Sequence, residues 1–113
     1  MEQKKVVYIS APTVDGKREE LARYVDAVND LGYIALTTSR LPQGLTREQD
    51  HKIRSSMIEV ADAALFLSEW DEDITPREDM VYCMCTNKPY VTPPTGRDVK
   101  PYWLREALEE VTR

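Results

Sequence analysis

Cysteine is nearly absent from this chain, which holds only Cys83 and Cys85 in 113 residues. A disulfide framework is thereby excluded. The two thiols lie two apart in a segment that reads as helix, where they point to different sides and cannot easily bridge, so both are expected reduced and half-buried. A single histidine, His51, completes the soft-ligand inventory. That is too thin for a structural zinc site, and no metal and no cofactor is expected. Long apolar runs are also missing. Ala63 to Leu67 has strand length and is too short to span a bilayer, and the charged opening leads into Val6 to Ile9, too short a run for a signal peptide. The expectation is a cytoplasmic protein with no membrane partner. Basic runs with interleaved aromatics are lacking too, and a formal net charge of −5 repels phosphate backbones. Nucleic acid is not an expected partner.

What is present suits an ordinary globular chain, with 42% hydrophobic and 31% charged residues. The length fits one domain over residues 1–113 with a core of its own. Val6 to Ser10 is a β-branched and aromatic run stopped by Ala11 and Pro12, a first strand. After a turn containing Asp15 and Gly16, Leu21, Tyr24, Val25, Val28 and Leu31 recur at helical spacing and Gly32 supplies a left-handed stop. Tyr33 to Thr38 is a second strand, followed by a loop through Leu41, Pro42, Gln43 and Gly44. Thr46 and Gln49 form a capping-box pattern that opens a second helix with Ile53, Met57, Val60 and Ala61 as its apolar face. The uninterrupted run from Ala63 to Leu67 marks a third strand covered on both faces. Thr75 as cap, Pro76 at the first helical position and Glu78 as capping glutamate predict a third helix to about Thr86. Pro89 to Thr92 is a short fourth strand. A Pro-Pro-Thr-Gly loop follows, and Trp103, Leu104, Leu108 and Val111 set a terminal helix from Pro101 onward.

Strands and helices alternating in this way predict a small three-layer Rossmann-like α/β sandwich of flavodoxin-like order, with a mainly parallel sheet of four or so strands and right-handed crossovers. Ligands of such sheets sit beyond the carboxyl ends of the strands where the order reverses. For a 2-1-3-4 order that point lies between the first and third strands. Two loops are therefore candidates, Ser10 to Asp15 and Ser68 to Thr75. The second is rich in acid, with Asp71, Glu72 and Asp73 just before a helix start, where the peptide dipoles stabilise negative charge. A divalent-cation site is one reading of that cluster, and simple helix-start chemistry is the other.

The run from Val6 to Pro12, Leu41-Pro42-Gln43-Gly44-Leu45, the stretch from Ala61 to Leu67 followed by Trp70, and Lys88-Pro89 together resemble the nucleoside 2-deoxyribosyltransferase-like superfamily, most closely its small phage and bacterial members. The resemblance spans about Val6 to Val91. It implies a pocket walled by the end of the first strand and by the turn into the third helix, with Tyr8, Ser10, Ala11, Pro12, Trp70 and Thr75 as ligand-binding positions. It also implies a helix-borne carboxylate that attacks the sugar while the base departs, a step a carboxylate can perform on an oxocarbenium-like carbon. Counting along the chain puts that carboxylate at Asp79, with Glu78 one residue away and Asp73 as a polar neighbour.

The sequence departs from the family's pattern at Ala11, where glycine is preferred, at Asp73 in place of serine, and at Thr75-Pro76 in place of glycine and a small residue. A β-carbon or proline ring restricts backbone approach and removes a donor, and an aspartate repels phosphate. Arg54 falls where related hydrolases place an aspartate and is read as a solvated helix residue. Two functions remain. One is a non-catalytic domain binding a nucleoside or nucleotide derivative; the alternative is an N-glycosidic-bond hydrolase or transferase on deoxynucleosides. A homo-oligomer is implied by the resemblance, with Tyr102 and Trp103 as candidates for a subunit contact.

Overall fold

Four short apolar runs pair into one sheet because each is flanked by a helix that carries the chain back to its starting edge. The computed structural model describes residues 3–12, 17–38, 44–94 and 100–113. Its strands are β1 (Val6–Ser10), β2 (Ile34–Thr37), β3 (Ala63–Phe66) and β4 (Tyr90–Val91), and its helices are α1 (Arg18–Asp30), α2 (Arg47–Val60), α3 (Ile74–Thr86) and α4 (Leu104–Val111). The sheet order is β2-β1-β3-β4 and all three pairings are parallel. This is the Rossmann-like sandwich expected. The turn at Asp15-Gly16, the loop residues Leu41, Pro42 and Gln43, and Thr95-Gly96 lie outside the described residues. Among the described residues no helix is long and apolar enough to cross a membrane.

Alternation along β1 divides the core. Val7 and Ile9 face one side, with Leu65, Leu67 and Val91, under Leu21, Tyr24 and Val28 of α1 and Leu104 and Leu108 of α4. Tyr8 faces the other side with Ala64 and Phe66, under Ile58 of α2 and Met80 and Cys83 of α3. Trp103 packs edge-on against Tyr24 at 6.1 Å between ring centroids and belongs to the core, while Tyr102 is 86% exposed.

The helix ends explain the punctuation. Gly32 (φ +94°) closes α1 with its N–H on the Asn29 carbonyl, and the Tyr33 N–H reaches Val28, a paired left-handed stop. Thr46 and Gln49 exchange both bonds of the capping box at the start of α2. At α3 the structure corrects the sequence reading. Asp73, not Thr75, is the cap, its Oδ1 accepting from the Thr75 N–H at 3.1 Å, and Pro76 is the third helical residue. An aspartate two residues before a free N–H outcompetes a threonine whose own backbone is already helical. Glu78 makes no capping bond; it pairs with Arg47 and Arg54.

The second correction concerns α2. Its buried positions are Arg54 and Ile58, followed by Ala61. Ile53 and Met57 are half-buried and Val60 is 68% exposed. The inward face is thus turned by about one residue, or 100°, from the apolar face expected. Arg54, read as solvated, is buried to 1%. Its stem covers apolar surface and its charge meets carboxylates on α3, which removes the usual penalty for an inward arginine. The thiols also differ from expectation, since Cys83 is fully buried and Cys85 exposed.

Candidate functional site

β1 and β3 are neighbours whose chains leave in opposite directions, to α1 and α3, so a crevice opens at their carboxyl ends. A cavity of about 180 Å³ lies there, lined by Ser10, Pro12, Lys17, Ser68, Trp70 and Asp73 among others. The chain reaches it through Glu69, whose left-handed backbone (φ 55°) swings β3 into a single 3-10 turn, Trp70–Glu72. For a residue with a β-carbon that conformation costs roughly 1–2 kcal/mol, a cost borne only where the surrounding contacts hold the backbone in place. The turn presents Trp70, held by Phe66 at 5.5 Å between ring centroids.

One wall is built on Lys17. Its ammonium donates to Ser68 Oγ at 2.9 Å and to Glu69 Oε1 at 3.0 Å, with Glu20 Oε1 at 3.6 Å. Burial works against its charge, but the bond to Glu69 and the pull of Glu20 outweigh this and hold the ammonium above its ordinary range. The same bond holds the Glu69 carboxyl below its ordinary range. Behind them Glu20, itself buried, accepts from the Ser68 hydroxyl at 2.7 Å and the Ser68 N–H at 2.8 Å. The first turn of α1 thereby fixes the end of β3.

The floor rests on Asp79. Its Oδ2 accepts from Tyr8 Oη at 2.8 Å and Ser10 Oγ at 2.6 Å, and its Oδ1 accepts from Arg54 Nη1 at 2.5 Å. Arg54 is held in turn by Asp50 at 2.8 Å and Glu78 at 3.4 Å. Burial, then the adjacent Asp79 charge, pushes the Tyr8 hydroxyl far above its usual range, so it stays a donor. Burial opposes the Arg54 charge, but Asp79 and Asp50 more than compensate, and the guanidinium is held charged.

The structure thus brings Tyr8, Ser10 and Asp79 into one buried cluster and places Ser10, Pro12, Trp70 and Asp73 on the cavity. Tyr8, Ala11, Thr75, Glu78 and Asp79 do not line it. Asp79 is 2% exposed, with both oxygens engaged. Among the described residues no three of the metal-ligating side chains converge, and Asp71, Glu72 and Asp73 form no cation cage. Sequence reasoning missed Lys17, Glu20 and the inward Arg54, and named Ser68 only as the first residue of a candidate loop. Glu20 had a signal. It stands four residues before Tyr24 and eight before Val28, a carboxylate on the buried stripe of α1.

These features define a small Rossmann-like α/β protein with a crevice at its topological switch point, walled by an aromatic ring and an ion-paired lysine. The chain belongs to the family described as "Domain of unknown function (DUF4406)", whose profile matches residues 5–89, from the residue before β1 to the residue before β4. No curated protein and no solved structure matches the chain.

Proposed function

We propose that this protein binds a small, unphosphorylated nucleoside-like ligand in the crevice between β1 and β3 and does not turn it over. The observation that carries the reading is the state of Asp79. The resemblance assigns this carboxylate the attack on a sugar, yet it lies beneath the cavity floor with three donors on its two oxygens. A nucleophile needs an open path from its oxygen to the reacting carbon, and Asp79 is 2% exposed and does not line the cavity. Asp79 instead acts as the anchor that holds Ser10 and Tyr8.

The cavity supports the ligand class by size, surface and charge. About 180 Å³ is below the ~300–1,000 Å³ typical of drug-sized ligands, room for one ring system with the remainder reaching past the mouth. Trp70 offers a face for stacking, worth about 1–3 kcal/mol per base. Lys17 is already neutralised by Glu69 and Glu20, and Glu72 and Asp73 bring two further carboxylates to the cavity lining. Of the amides at the start of α3 that would cradle a phosphate, the Thr75 N–H is taken by Asp73 and Pro76 has none.

The test is to incubate the protein with deoxynucleosides and their 5′-monophosphates while recording melting temperature and following free base by chromatography. The expected result is a rise in melting temperature with one or more nucleosides, a smaller or absent rise with the monophosphates, loss of the response in Trp70→Ala, and no free base. Base release would instead establish the N-glycosidic enzyme, with Glu78→Gln and Asp79→Asn as the next variants. No response to any member would reject the ligand class.

A further inference from the structure

Among the described residues, every donor side chain on the cavity lining except the indole of Trp70 already gives its protons to another protein group. The Ser10 hydroxyl donates to Asp79 at 2.6 Å, and the Ser68 hydroxyl donates to Glu20 at 2.7 Å. The Lys17 ammonium has three protons and three protein acceptors around it, Ser68 Oγ at 2.9 Å, Glu69 Oε1 at 3.0 Å and Glu20 Oε1 at 3.6 Å. The remaining polar side chains of the lining, Glu69, Glu72 and Asp73, are carboxylates, which can only accept. Charge points the same way. One ammonium stands against those three carboxylates and Glu20 behind them, and the starts of α1 and α3 add only about half a positive charge each. The crevice is an acceptor surface.

Such a surface selects a ligand that brings the donors. Resting on the nucleoside reading above, we propose that the ligand is a guanine nucleoside, its base laid on Trp70 and its N1–H and 2-amino donors directed at the carboxylates of Glu72 and Asp73. Both carboxylates leave the same stretch of chain as Trp70, the 3-10 turn and the residue that closes it, so a ring stacked on the indole meets them at its edge. Asp73 is set in advance, because its Oδ1 is held by the Thr75 N–H. Among the common bases only guanine carries two adjacent donors on one edge, the arrangement that a carboxylate accepts as a pair. Adenine and cytosine place their amino group beside a ring nitrogen that accepts, and thymine places one N–H between two carbonyls. Each of these turns a lone pair toward a carboxylate, and an acceptor left facing an acceptor loses its hydrogen bond to water without replacement.

The test is calorimetric titration of the whole chain with deoxyguanosine, 1-methyldeoxyguanosine, deoxyinosine, deoxyadenosine and thymidine. Deoxyguanosine should bind about tenfold or more tightly than each of the others, the factor expected for one hydrogen bond to a charged group. Deoxyinosine lacks only the 2-amino group and 1-methyldeoxyguanosine only the N1–H, so each isolates one donor. The double variant E72Q/D73N keeps the size of both side chains and the cap of α3, because asparagine caps as well as aspartate. It should bind deoxyguanosine and deoxyinosine alike. Equal affinity of the unaltered chain for deoxyguanosine and any other member, or a double variant that keeps the preference, would overturn the inference and leave nucleoside binding standing. Binding of no nucleoside at all would reject both.

Discussion

Remove the guanidinium of Arg54 and Asp79 is left beneath the sheet with two hydroxyl donors and no countercharge. Stranding one member of a buried pair costs about 3–5 kcal/mol, and both side chains here are 2% exposed. Arg54→Met, which keeps much of the stem's packing, should therefore lower stability by that amount in urea unfolding, and a loss below about 1 kcal/mol would show the pair to be energetically idle. The same residue marks where the sequence misleads. A charged side chain on a helix is usually solvated, and the partner that reverses the rule for Arg54 lies 25 positions away on another helix. Pairing at that separation leaves no local pattern. Lys17 was hidden for a related reason, since its cavity position depends on Ser68 and Glu69, about 50 positions along the chain.

At the level of elements, helix starts show how similar local chemistry serves different ends. Thr46 and Asp73 both cap helices, and replacing either by alanine should cost about 1 kcal/mol in urea unfolding. Only Asp73→Ala also removes a carboxylate from the cavity rim and frees the Thr75 N–H, so it alone should raise the thermal response to nucleoside 5′-monophosphates. Equal behaviour of the two variants would mean that Asp73 does not tune the site. Strand and helix positions were legible because periodicity is local, and so was the Thr46–Gln49 box. The facing of α2 was not. Its stripes at 53/57/60 and 54/58/61 differ by a single residue step, and apolarity alone favours the one that the fold leaves outside. The choice was made by Asp79 on the neighbouring helix.

Across the whole molecule, the sheet order and the site of the crevice followed from alternation and crossover rules, whereas what lines the crevice depended on how the layers meet. Cys83 reports on that layering. Burial, then the nearby Asp79 charge, pushes its thiol up to about 11. Below that pH the reactive thiolate is disfavoured in the folded state and becomes accessible only as the chain opens. Iodoacetamide near pH 8 should label exposed Cys85 readily and leave Cys83 untouched until urea unfolds the protein, with mass spectrometry as the readout. Labelling of both at one rate would reveal that α3 lifts from the sheet without global unfolding. A last consequence comes from the alternation of β1. Because strand side chains change face at every residue, a slip of one position during assembly would carry Tyr8 and Ser10 into the aliphatic layer beneath α1 and deliver Ile9 to Arg54 and Asp79. Both layers would be wrong at once, one holding unbonded hydroxyls and the other charges stripped of their donors. The polar cluster under the crevice thus serves as a proofreader of folding, making the off-by-one strand alignment too unstable to persist.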